Sequence, residues 1–166
     1  EKDVPIWEAA RTIYMYQDDG KIRLIDPDPP RSYSEYLLSL YSSWFWAVLF
    51  GVSLTFLAIY ELPQSPPFTW LRVLMGFLMA LYLPGYVFIE ALYPRREELE
   101  ELERFALGLG LSIALTPLTG FVLNYTPWGI RLDPVLAALS LLTLTLGLFG
   151  VYRKFTYHML KLEATG

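Results

Sequence analysis

The chain has no cysteine, a single histidine and little charge: of its 166 residues only 18% are Asp, Glu, Lys or Arg. Without cysteine it holds no disulfide, zinc–thiolate site, iron–sulfur cluster or thiol nucleophile. With His158 as its only imidazole, it cannot build a histidine-rich metal centre or paired-histidine haem ligation within itself. The shortage of charge says more, because soluble domains carry about 25% charged residues. Apolar side chains fill the gap, at 54% of the chain. Most charges fall in residues 1–35, 95–104 and 153–163, and the stretches between them are nearly bare. The polar, acidic first 42 residues contain no basic start followed by an apolar run, so no secretory signal is expected there.

A helix needs about 20 mostly apolar residues to cross a hydrocarbon core of roughly 30 Å. Four segments meet that requirement, at about 44–60, 70–93, 105–125 and 130–152. Four such segments in so short a chain cannot all be wrapped by amphipathic sequence, so lipid is the expected surrounding. Trp44, Trp46, Tyr60, Trp70, Tyr93, Tyr125, Trp128 and Tyr152 stand at their ends, the level that amphipathic rings prefer. The expected fold is therefore an all-α membrane protein, a four-helix transmembrane bundle (43–152) with a small cytoplasmic N-terminal segment (1–42) and a cytoplasmic tail (153–166).

Lys and Arg give an orientation. With the N-terminus inside, the cytoplasmic segments hold eleven of them and the outer segments hold Arg72 and Arg131. That split places both termini in the cytoplasm under the positive-inside rule. The outer connections, about 61–69 and 126–129, are short and rich in proline or glycine, which leaves no sizeable ectodomain.

The N-terminal segment is too short to bury much of a core alone. Pro5 is expected to open a helix through about Gln17, with Trp7, Ala10, Ile13 and Tyr14 on one face. Asp18-Asp19-Gly20 reads as a turn, Lys21 to Ile25 as a short strand, and Asp26 to Pro30 as a stiff spacer. Ser32 with Glu35 forms a capping-box pattern for a second helix, whose apolar face (Tyr33, Tyr36, Leu37, Leu40, Tyr41) is expected along the inner membrane surface. Helix, turn and strand also end a winged-helix DNA-binding domain. The segment is about half the necessary length and acidic, however, so no nucleic acid partner is expected.

Leu71-Arg-Val-Leu-Met-Gly-Phe77, Leu83-Pro-Gly-Tyr86, Leu92-Tyr-Pro-Arg-Arg96, Leu102 to Ser112 and above all Asn124-Tyr-Thr-Pro-Trp-Gly-Ile-Arg131 resemble successive motifs of one family. It is the archaeal multi-pass membrane group known as domain of unknown function 1616, and the resemblance covers roughly residues 44–152. It implies an archaeal membrane protein and supplies no activity or catalytic residue to carry over.

Five residues stand out as candidates. Apart from Asp133 at the very start of the fourth, Glu90 is the only carboxylate inside a span; an intramembrane acid suggests a proton or ion site, whereas its closeness to Arg95 and Arg96 suggests an interfacial anchor paired with one of them. Pro84-Gly85 and Thr116-Pro117 each predict a helix break, which either exposes carbonyls to an ion or shapes packing. Asn124 matches a glycosylation acceptor pattern but precedes Thr126-Pro127 at a span end, where capping is the expected role. Gly108, Gly110, Ser112 and Ala114 give small-residue pairs for close helix packing. Aspartates deep within a span, a Ser–His pair and a phosphate-cradling loop are all missing, so no enzyme and no cofactor are expected. The expected function is a non-catalytic structural or accessory subunit of a larger membrane assembly, in contact with lipid and other subunits. A small transporter or channel component using Pro84, Pro117 and Glu90 is the alternative.

Overall fold

A computed structural model describes residues 6–18, 29–95 and 98–163. The chain divides into two compact units, Glu1–Pro30 and Arg31–Gly166. The described residues are helical or irregular, with no strand among them. The strand expected at Lys21 to Ile25 lies outside the described residues, as does most of the turn before it.

The first unit contains α1 (Ile6–Asp18), within a residue of the helix its periodicity predicts. Thr12 sits on its polar side, its hydroxyl donating to the Glu8 carbonyl at 2.9 Å.

In the second unit α2 (Tyr33–Leu38) starts where the capping-box pattern places it. Glu35 reaches back to accept the Ser32 and Arg31 N–H groups at 3.2 and 3.1 Å, satisfying donors that a helix start otherwise leaves open. A 3₁₀ turn (Leu40–Ser42) leads into α3 (Ser43–Tyr60). The second apolar segment forms two helices, α4 (Phe68–Leu81) and α5 (Leu83–Leu92), meeting at Tyr82. They are followed by α6 (Glu101–Asn124) and α7 (Leu132–Glu163). Acidic Glu101 and Glu103 occupy the first turn of α6, where the helix dipole favours negative charge. The four apolar stretches Leu40–Tyr60, Phe68–Leu92, Glu101–Asn124 and Leu132–Glu163 are each long and apolar enough to cross a membrane.

Two expectations need correction. The fourth helix does not end near Tyr152, where the fourth apolar segment was bounded, but continues to Glu163, so residues 153–163 of the expected tail belong to the same helix. At about 1.5 Å per residue, α7 is roughly 48 Å long, well beyond the thickness of a hydrocarbon core. Pro117 interrupts nothing: α6 runs through it as one helix. Pro84, by contrast, falls in the first turn of α5, just after the junction.

The core joins α3, α4, α5 and α7 through Val48, Val52, Ile59, Met79, Leu83, Val87, Leu136 and Leu139. Helix α6 joins by a different device, since Gly108 and Ser112 are buried there and its backbone presses on α5. A β-carbon on Gly85 would lie 1.9 Å from the Gly108 carbonyl oxygen, so only glycine allows this crossing. On α7, Gly147 and Gly150 make room for the rings of Phe45 and Trp44. Helix α2 docks on the extended part of α7, with Tyr36 only 4% exposed and its ring 5.6 Å from those of Phe155 and His158. It therefore packs on protein through Tyr36, while Leu40, expected on the same face, is exposed.

Candidate functional site

The polar chemistry of the helical unit gathers at the C-terminal end of α5, where Glu90 lies one turn before the helix stops. Its side chain is 8% exposed. An acid so buried needs a counter-charge, and two arrive from other helices. Arg104 of α6 donates to Glu90 Oε1 at 2.9 Å, and the Lys154 ammonium of α7 pairs with Glu90 Oε2. Both carboxylate oxygens are thus occupied.

The same helix end leaves carbonyls without intrahelical partners. Arg153 of α7 donates to Ala91 O at 2.8 Å and Leu92 O at 3.3 Å. Arg104 donates to Tyr93 O at 3.4 Å and to Arg95 O at 3.0 Å. Three cations from two helices therefore converge on one carboxylate and on the negative end of a helix dipole, an arrangement of opposite charges. The Lys154 ammonium also stands 4.5 Å from the Trp44 ring centroid, which adds a cation–π contact from α3. One charge cluster links all four apolar stretches.

The partner expected for Glu90 was Arg95 or Arg96. Arg96 lies outside the described residues. Arg95 faces elsewhere, pairing with Glu98 at 3.6 Å and stacking 4.4 Å above the Tyr157 ring. Sequence proximity was misleading because residues just past the helix end turn away, whereas α6 and α7 run alongside the buried face of α5.

The second candidate region is the α4–α5 junction. Proline at position 84 has no N–H to give to the Ala80 carbonyl one turn back. The hydroxyl of Thr116 on α6 donates to that carbonyl instead. The next amide, Gly85 N–H, donates to Ser112 Oγ at 2.7 Å. Both backbone groups are taken by side chains one turn apart on α6. The structure brings Pro84 and Gly85 together with Ser112 and Thr116, the residue before Pro117, while Glu90 finds its partners at the other end of α5.

Asn124 is the last residue of α6 and is exposed. This helix end is closed by the Tyr125 N–H, which reaches Val122 O at 3.1 Å, and by Thr126, whose N–H and hydroxyl reach Leu123 O at 2.9 and 2.7 Å. Among the described residues, the two after Asn124 thus supply the capping bonds at the end where Asn124 was expected to act. The chain then turns through Gly129, at φ +65°, a conformation that favours glycine. Nearby, the Tyr60 hydroxyl donates to Asp133 at 2.7 Å, tying α3 to the start of α7. Of the other buried serine and threonine hydroxyls among the described residues, Thr55, Ser140 and Thr143 donate to carbonyls one turn back on their own helices, and Ser42 donates to Tyr36 O of α2 at 2.8 Å. Among the described residues no three His, Asp or Glu side chains come together as a metal-ligand set.

Sequence reading missed Arg104, Arg153, Lys154, Ser112 and Thr116 as members of these sites. The available signal was depth: a hydroxyl on a neighbouring span opposite a proline, and basic residues at the same helix ends as Glu90.

The family model described as Domain of unknown function (DUF8471) matches residues 49–161, more than half of the chain. No curated protein and no solved structure matches it. The family match overturns the resemblance to domain of unknown function 1616, together with the archaeal origin that rested on it. The Asn124 to Arg131 run that carried the resemblance is a tight turn between two apolar helices. Proline, tryptophan and a left-handed glycine serve any bundle at such a turn.

Proposed function

The chain belongs to the DUF8471 family, and we propose that it is a non-catalytic multi-pass membrane protein, a structural or accessory subunit of a larger membrane assembly. On this reading the four apolar stretches cross the cell membrane and the Glu90 end of the bundle faces the cytoplasm, as do both termini. The observation that carries the reading is the saturation of Glu90 by Arg104 and Lys154. A transport acid must exchange partners with its cargo, and transport sites gather several polar groups at mid-depth. Here the buried carboxylate of Glu90 is held by two fixed cations at a helix end. At the break around Pro84, Thr116 donates to the Ala80 carbonyl and Ser112 accepts the Gly85 N–H, so side chains of α6 rather than a cargo take these groups. The interior polar groups serve to hold the bundle together, which leaves outward surfaces to carry the function.

The orientation is supported by the gathering of Arg104, Arg153 and Lys154 at one end of the bundle. The test is extraction of the tagged full-length chain in a mild detergent, followed by measurement of native mass. We expect a species heavier than one chain with its detergent belt, and loss of the additional components when residues 1–30 are deleted. A chain that runs as a monomer, with nothing bound, refutes the accessory role.

A further inference from the structure

We propose that α1 is the segment that engages the partner, laying its apolar face into an apolar groove on a cytoplasmic protein surface rimmed by lysine and arginine. This rests on the accessory-subunit reading and adds the chemistry of the partner.

The periodicity of α1 places Trp7, Ala10, Ile13 and Tyr14 along one side and Glu8 and Thr12 on the other, with Arg11 at the border beside Trp7. Trp7 is 68% exposed, Tyr14 67% and Ile13 41%. A helix of 13 residues is marginal by itself in water, and most helical stability comes from packing an amphipathic face. Outside this chain, two surfaces on the cytoplasmic side can cover such a face, namely the lipid headgroup layer and another protein.

Charge decides between them. Residues 1–30 carry seven acidic residues (Glu1, Asp3, Glu8, Asp18, Asp19, Asp26, Asp28) and four basic ones (Lys2, Arg11, Lys21, Arg23). Helices that lie in a membrane surface are rich in Lys and Arg on the polar side, and the cytoplasmic leaflet is negative. Helix α1 carries one basic residue in all, Arg11 at the border of the apolar side, and the net acidity of the segment disfavours an anionic lipid surface. The same acidity favours a groove with a basic rim, the helix-in-groove mode in which spaced apolar anchors supply affinity and rim charges supply orientation.

The experiment places the photocrosslinker p-benzoylphenylalanine at Tyr14, or at Thr12 as the opposite-face control, in the full-length chain in its native membranes. The Tyr14 position is expected to give an adduct to another protein, mapped to an apolar segment flanked by Lys or Arg. The Thr12 position should give severalfold less. The Tyr14 adduct should also fall severalfold when salt is raised from about 0.05 to about 0.5 M, because exposed charges are then screened within a few ångströms. A phospholipid adduct, equal yields at the two positions, an adduct only to a second copy of this chain, or a yield indifferent to salt each overturn the proposal. Native mass measured in parallel separates the two ideas. A large assembly with Tyr14 crosslinked to lipid refutes this inference alone, whereas a monomeric chain refutes the accessory role beneath it as well.

Discussion

Replacing Gly85 with alanine tests the packing device that attaches α6 to the rest of the bundle. The added β-carbon would lie 1.9 Å from the Gly108 carbonyl oxygen, 2.5 Å from the Ser112 nitrogen and 2.7 Å from Ser112 Oγ. Carbon–oxygen contacts between packed helices sit near 3.3–3.6 Å, so the helices must part by roughly 1.5 Å. Two of the three blocking atoms are backbone and cannot rotate aside. Separation of that size breaks the bonds from Gly85 to Ser112 and from Thr116 to Ala80, worth about 0.6 kcal/mol each in a membrane protein. Overpacking itself costs about 1–3 kcal/mol. Gly110→Ala is the matched control, since a β-carbon there meets nothing within 4 Å while the gain in helix propensity is comparable. The difference between the two variants is expected to be about 2–4 kcal/mol. It is read from detergent-solubilised protein by following the loss of helical circular dichroism with heat or SDS. Equal stability of the two variants, within about 0.5 kcal/mol, refutes the close crossing.

Thr116→Val should leave the Ala80 carbonyl without a donor and destabilise the bundle by about 1 kcal/mol, whereas in a Pro84→Ala background, where an amide returns to that carbonyl, the same change should cost much less; a double-mutant cycle by SDS unfolding reads the coupling. Glu90→Gln should cost about 3–5 kcal/mol by leaving Arg104 and Lys154 buried against a neutral group, and adding Lys154→Met should recover part of it; a fully stable Glu90→Gln protein contradicts the anchoring role. Burial pushes the Tyr36 phenol up to about 12, with the charge of Tyr41 adding to the shift. The folded chain therefore holds that proton more tightly than the unfolded chain does. Its contribution to α2 docking is complete below about pH 10 and lost as pH rises toward 12, and tyrosinate absorbance that develops near pH 12 should be reduced in Tyr36→Phe.

The four apolar stretches were legible because each carries about 20 apolar residues between aromatic ends, a signal that needs no tertiary knowledge. The start of α2 was legible because its two determinants, Ser32 and Glu35, lie three residues apart. The extension of α7 was not. Past Tyr152 the sequence turns basic and polar, and hydropathy stops reporting even though Phe155, His158 and Leu162 keep a helical spacing. The partners of Glu90 were missed for a related reason. Arg104 and Lys154 lie 14 and 64 residues away, and no local rule ranks them above Arg95, only five residues distant. Pro117 misled in the opposite direction. A proline at mid-span frees one carbonyl whether or not the helix stops, and α6 continues through it.

The two polar features of the helical unit have a common construction, and it bears on where function can reside. At each, α5 presents groups that its own helix cannot satisfy: the carbonyl and amide freed around Pro84 at one end, and the terminal carbonyls with Glu90 at the other. Side chains of α6 answer at both ends, Thr116 and Ser112 at the first and Arg104 at the second, while α7 adds Lys154 and Arg153 at the second. Helix α6 contributes no side chain to the main apolar core, and its apolar window is only 17% buried, against 39% for each of the other three. It is therefore held to the bundle chiefly by glycine contact and these polar bonds. In the membrane setting proposed above, apolar packing adds little specificity because lipid is as greasy as leucine, so polar pairs at matching depths set the register of α5 against α6. On the reading proposed above, the interior chemistry is consumed in building the scaffold. Interaction with other subunits then falls to surfaces the bundle leaves open, foremost the aromatic face of α1.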